Sequence, residues 1–89
     1  MPEIVAPIIH MNGDRPETLK AQLCATYTAL CETQKAMRNA APNARNYYPQ
    51  EGLFEKAIAK HARMWSIIDD LRSEILEELH AIEAQESRR

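Results

Sequence analysis

The chain has 89 residues, 45% of them hydrophobic and 27% charged, with a formal net charge of -2. A chain of this length makes one domain with a marginal core of its own, so self-association is a natural remedy. The charge argues against DNA or RNA as partner, since a nucleic-acid backbone needs a basic face.

Residues 1–13 are expected to form an extended N-terminal arm. Pro2 and Pro7 exclude a helix across Ile4-Val5-Ala6-Pro7-Ile8-Ile9, so this apolar run must lie against something as a strap or a strand. The arm lacks the charged region and cleavage site of a signal peptide. His10-Met11-Asn12-Gly13-Asp14 reads as a turn. Asp14 suits a helix N-cap, Pro16 the first turn, and Glu17 completes a capping box. A helix start presents donors that bind anions, which makes Asn12 and Gly13 ligand candidates, with Asp14 competing for the same donors.

A first helix is expected from about Arg15 to Ala41. Leu19, Leu23, Tyr27, Leu30, Gln34, Met37 and Ala41 share one face, and alanines, threonines and cysteines keep the other faces small. Cys24 and Cys31 lie two turns apart on this helix, about 10 Å along its axis, too far to bond to each other. They read as small apolar packing residues. Pro42 ends the helix.

The segment 42–52, Pro-Asn-Ala-Arg-Asn-Tyr-Tyr-Pro-Gln-Glu-Gly, is longer than a plain helical hairpin needs, since such connections commonly take about two to eight residues. It carries Arg45, Tyr47 and Tyr48. Either the tyrosines pack back over the end of the hairpin, or one stacks on a planar ligand while Arg45 holds a phosphate or carboxylate.

A second helix is expected from about Leu53 to Gln85, with a polar tail from Ala84 to Arg89 that frays. Phe54, Ile58, His61, Trp65, Ile68, Arg72, Ile75, Leu79 and Ile82 repeat as a heptad seam, and Ala57, Met64, Ile67, Leu71 and Leu76 widen it beyond what one partner helix covers. The overhang near Leu76, Leu79 and Ile82 needs the arm as cover, from its own chain or a neighbour. His61 and Arg72 interrupt the seam. His61 is either one satisfied interhelical hydrogen bond or the floor of a pocket under the loop. Arg72 either meets a partner carboxylate with its stem packed, or reaches an anionic ligand. Lys56, Lys60 and Arg63 read as a solvated face first, and otherwise as further positive charge for the ligand.

Glu77-x-x-His80 has the spacing of carboxylate-bridged di-iron bundles, with Glu17 near that level, but it occurs once. Gly-rich phosphate loops, HExxH and CxxC pairs are absent from the sequence. No metal, no cofactor and no catalysis are therefore expected.

His10-Met11-Asn12-Gly13, the leucine-bearing helix, Pro42-Asn43-Ala44-Arg45-Asn46-Tyr47-Tyr48-Pro49, and His61 with Arg63 resemble a group of small uncharacterised proteins of tailed phages and prophages. Its members read H-L-N-G near the start and N-G-R-D-Y-Y-P in the loop. The resemblance covers His10 to about Leu79. Met11 stands for leucine, Ala44 for glycine and Asn46 for aspartate, so no acid role is carried to that last position. In size and helical make-up the chain is also similar to phage proteins that sequester cyclic or ADP-ribose-derived nucleotide signals. That likeness implies an oligomer with pockets between subunits.

The expected architecture is all-α: an antiparallel two-helix hairpin over 14–86 with the arm before it and a short tail over 87–89, assembling into a helical homo-oligomer. The expected function is sequestration of a small anionic, nucleotide-like signal at an inter-subunit pocket, as a phage counter-defence protein in the host cytoplasm. Arg45, Tyr47, Tyr48 and His61 would form that pocket, with Asn12, Gly13 and Arg72 as further contacts. The arm turn and the tyrosine loop stand about 39 Å apart along one hairpin, so they join in one site only across a subunit boundary. The alternative is a protein–protein interaction module, either a host-protein inhibitor or a small phage structural component, whose partner surface is the wide apolar stripe.

Overall fold

Helix α1 spans Pro16–Asn39, and Pro16 sets where it begins. A proline pushes the residue before it out of the helical region, and Arg15 accordingly holds the N-cap place in extended conformation, with φ -67° and ψ 146°. This corrects the capping-box expectation. Asp14 lies one residue too early, and the start of α1 receives no side-chain cap. Glu17 stands in the first turn, where its carboxylate favours the helix dipole.

The computed structural model describes residues 3–88; the expected arm residues Met1 and Pro2 and the tail residue Arg89 lie outside the described residues. α1 stops at Asn39, two residues before the expected end, and a chain of successive turns follows. Asn43 accepts a hydrogen bond on its side chain from the Arg45 amide at 3.1 Å, which starts the short 3-10 turn η1, Ala44–Asn46. Backbone bonds from Tyr47 to Ala44, Gln50 to Tyr47 and Leu53 to Gln50 carry the reversal to Gly52. Gly52 sits at φ 80°, a left-handed conformation that a side chain resists. Helix α2, Leu53–Ser87, starts there.

α1 and α2 pack as a helical hairpin, and no strand occurs among the described residues. α2 has 35 residues against 24 in α1, eleven more, so it overhangs its partner by about 16 Å. The arm covers the overhang within its own chain. Residues 3–10 run extended beside the last turns of α2, and the Gln85 side chain grips their backbone. The frayed-tail expectation is corrected here: Ala84–Ser87 remain helical, because Gln85 holds the arm and Glu86 pairs with Lys20 at 2.6 Å. Ile82, level with this junction, is the one hydrophobic side chain buried completely among the described residues.

A two-helix layer has a single seam, and the burial pattern follows from that. Besides Ile82, the only other buried residue described is Gln34. The remaining apolar side chains among the described residues are half-buried or exposed, and the molecule extends 62 × 26 × 18 Å. No helix among the described residues is long and apolar enough to cross a membrane.

Candidate functional site

Two groups of polar side chains lie along the seam. The first is centred on Gln34, which is 2% exposed although it is polar. Its Nε2 donates to Asp69 Oδ1 at 2.7 Å, and its Oε1 accepts from Arg72 Nη1 at 2.6 Å. Arg72 Nη2 donates to the Tyr27 hydroxyl at 2.9 Å, and the guanidinium lies 5.0 Å from the centre of that ring. The hydrogen bond to Tyr27 raises the Arg72 pKa above its ordinary value, with burial opposing it. Arg72 Nε is buried without a hydrogen-bond partner. The carboxylate foreseen for Arg72 is Asp69, at a loose 3.5 Å on its own helix; Gln34 and Tyr27 across the seam make the closer contacts. The guanidinium is thus turned inward and engaged within the hairpin.

The second group lies at the loop end. His61 Nε2 donates to the Met37 carbonyl at 2.9 Å, beside the Ala40 amide that donates to the same oxygen at 3.1 Å, and this leaves Nδ1 with a lone pair when the ring is neutral. The His61 ring lies 6.4 Å from Trp65, and Arg38 stacks over that indole at 5.5 Å. Tyr47 folds back against Phe54, with ring centres 6.2 Å apart. Tyr47, His61, Lys60 and Met64 share an open depression of about 210 Å³ with Met37 and Pro42. Such a volume lies below the roughly 300–1,000 Å³ of ordinary ligand sites.

The other candidates stand apart from this depression. Arg45 is exposed on η1, and Tyr48 is 79% exposed at the loop tip. Neither lines the depression. Asn12 and Gly13 lie beyond the opposite end of α1, about 36 Å away along its axis. Gly13 closes a turn by donating to the His10 carbonyl at 3.2 Å, and a Cβ there would come within 2.9 Å of the His10 ring. A 440 Å³ surface hollow lies against this turn, lined by Ile9, His10, Gly13 and Pro16 among others. Among the described residues, no three His, Cys, Asp or Glu side chains gather as a metal-binding group; Glu17, Glu77 and His80 are all exposed.

Three participants escaped the sequence reading: Gln34 as a buried hub, Asp69 as its acceptor, and Arg38 as the lid on Trp65. Gln34 carried a usable signal. It stands on the apolar face of α1, so a buried amide opposite a seam arginine was the economical pairing. Comparison with known proteins adds no further guide: no family model matches, and no curated protein or solved structure matches either.

Proposed function

We propose that the protein is a helical interaction module without chemistry, and that its working surface is the apolar flank of α2. One observation carries this reading. Met64, Ile67 and Leu71 stand in line on α2, beside the seam that faces α1, and are 43%, 52% and 44% exposed. Solvated helix faces of small domains are polar; three large apolar side chains in one row mark a surface that another protein covers. The inward engagement of His61 and Arg72 supports a role in holding the hairpin, not in reacting with a substrate.

A photo-cross-linking residue at Ile67, compared with one at exposed Lys35 on α1, tests this in the cells that make the protein. A discrete cross-linked species from position 67 alone is expected. Equal labelling at both positions would remove the reading.

A second reading keeps the small anionic, nucleotide-like ligand and the counter-defence role implied by the phage resemblance. What favours it is the convergence of Tyr47, Lys60 and His61 on one depression, an aromatic plane beside a cation and a titratable ring. Isothermal titration against a panel of signalling nucleotides tests it. Absence of binding below about 100 μM, weaker than about -5.5 kcal/mol, ends it.

A further inference from the structure

The exposed row on α2 extends at both ends into charge. Lys60, Met64, Ile67, Leu71, Glu74 and Glu78 follow one another in steps of four and three, which is a second heptad seam next to the one that α1 covers. All but Glu78 are exposed, and Glu78 is half-buried. The N-terminal end of the row is basic, with Lys56 and Arg63 flanking Lys60. The C-terminal end is acidic, with Asp70 and Glu77 flanking Glu74. The start of the arm adds to that acidic end, since Glu3, Ile4 and Val5 border a cleft with Glu74, Glu77 and Glu78.

The geometry points to a second copy of this chain as the occupant, with the two α2 helices antiparallel about a two-fold axis at Ile67. This rests on the interaction reading above and names the partner. In that register each position faces the one equally far on the other side of Ile67. Ile67 meets Ile67, Lys60 meets Glu74 of the partner subunit, and Lys56 meets Glu78 of the partner subunit. Both ends of the row are then neutralised by opposite charges, twice over by symmetry. A parallel pairing would set Lys60 on Lys60 and Glu74 on Glu74, which the charge pattern disfavours.

Area points the same way. The chain exposes 7039 Å². A compact monomer of 10.2 kDa exposes about 5,300 Å² by the usual scaling of surface with mass. The surplus of roughly 1,700 Å² exceeds the about 800 Å² per partner of a standard interface and falls within the range of permanent dimers. The pairing also has a consequence for the loop-end depression. Lys60 and Met64 form one wall of it, so the partner's Glu74 comes to its rim, and an anion is disfavoured there.

Sedimentation equilibrium with circular dichroism tests the pairing, because Lys60 and Glu74 lie about 21 Å apart on their own helix and cannot rescue each other within one chain. The unaltered protein is expected at twice 10.2 kDa at about 10 μM. Lys60→Glu and Glu74→Lys are each expected to weaken the dimer roughly tenfold or more, with helicity kept. The variant carrying both exchanges is expected to recover the dimer. A fully helical single-copy species at about 100 μM, or charge reversals that leave the mass unchanged, or a double exchange without recovery, would overturn the inference. A monomer that still gives the Ile67 cross-link in cells overturns self-pairing alone and leaves the interaction reading standing; a monomer without the cross-link removes both.

Discussion

Replacing Gln85 by Met isolates what holds the arm. The methionine keeps the length and the apolar stem of the side chain, but it removes the donor and the acceptor. Gln85 Oε1 accepts from the Ile9 amide at 2.8 Å, and Nε2 donates to the Pro7 carbonyl at 2.8 Å. A net contribution of about 1 kcal/mol per neutral hydrogen bond gives about 2 kcal/mol, or a factor of about thirty in the ratio of docked to free arm. That is small beside the cost of ordering eight residues, at about 1–2 kcal/mol each, so contacts of Ala6, Pro7 and Ile9 must supply the rest. The amide supplies register: it fixes which carbonyl and which N–H of the arm meet α2. Hydrogen exchange read residue by residue is the assay. The Ile9 amide is expected to lose about thirtyfold in protection, while amides in the middle of α2 keep theirs. Unchanged protection at Ile9 would refute the claim that this side chain docks the arm. Equal loss along all of α2 would refute the claim that the arm is a separate unit.

Four further outcomes follow, all at one protein concentration because assembly shifts apparent stability. Ile82→Val removes one methyl from a side chain with no exposure; it should cost about 1 kcal/mol and lower Tm by about 4–8 °C in a thermal melt. Ile58→Val, at an exposed site, should stay within about 0.5 kcal/mol. Gly52→Ala meets no neighbour, so its cost, about 1 kcal/mol in a denaturant titration, comes from φ 80° alone. The Glu86 hydrogen bond raises the Lys20 pKa above its ordinary value, with burial opposing it. The pair therefore stabilises fully below the ordinary lysine value near 10.5 and fades as pH climbs through the raised one. Alkaline melts should show a steeper loss in the unaltered protein than in Lys20→Gln.

The helices were legible because their apolar spacing is a local property of the chain, and Pro16 and Gly52 punctuate it without help from distant residues. The ends of α1 were less so. Asp14 and Glu17 spell a capping box, yet Pro16 constrains Arg15 and moves the helix start past Asp14. The far end stops at Asn39 because the Ala40 and Ala41 amides bond only three residues back, to Met37 and Arg38, and this tighter last turn ends the helix before Pro42 is reached. At the site, Tyr47 and His61 come together because both lie next to the hairpin end. Arg45 and Tyr48 do not join them: Arg45 is exposed on η1, Tyr48 is exposed in the turn after it, and neither lines the depression.

The sequence by itself determined two amphipathic helices, the break between them, and an apolar stripe too wide for one partner, since periodicity and backbone restriction act over a few residues. Tertiary structure alone decided what each polar seam residue does. Arg72 could have faced a ligand; it faces Gln34 and Tyr27, residues 38 and 45 positions away in the chain. The arm could have reached a neighbour; the Gln85 amide ties it to its own α2. Such pairings depend on the relative height and rotation of two packed helices, and no local pattern records those.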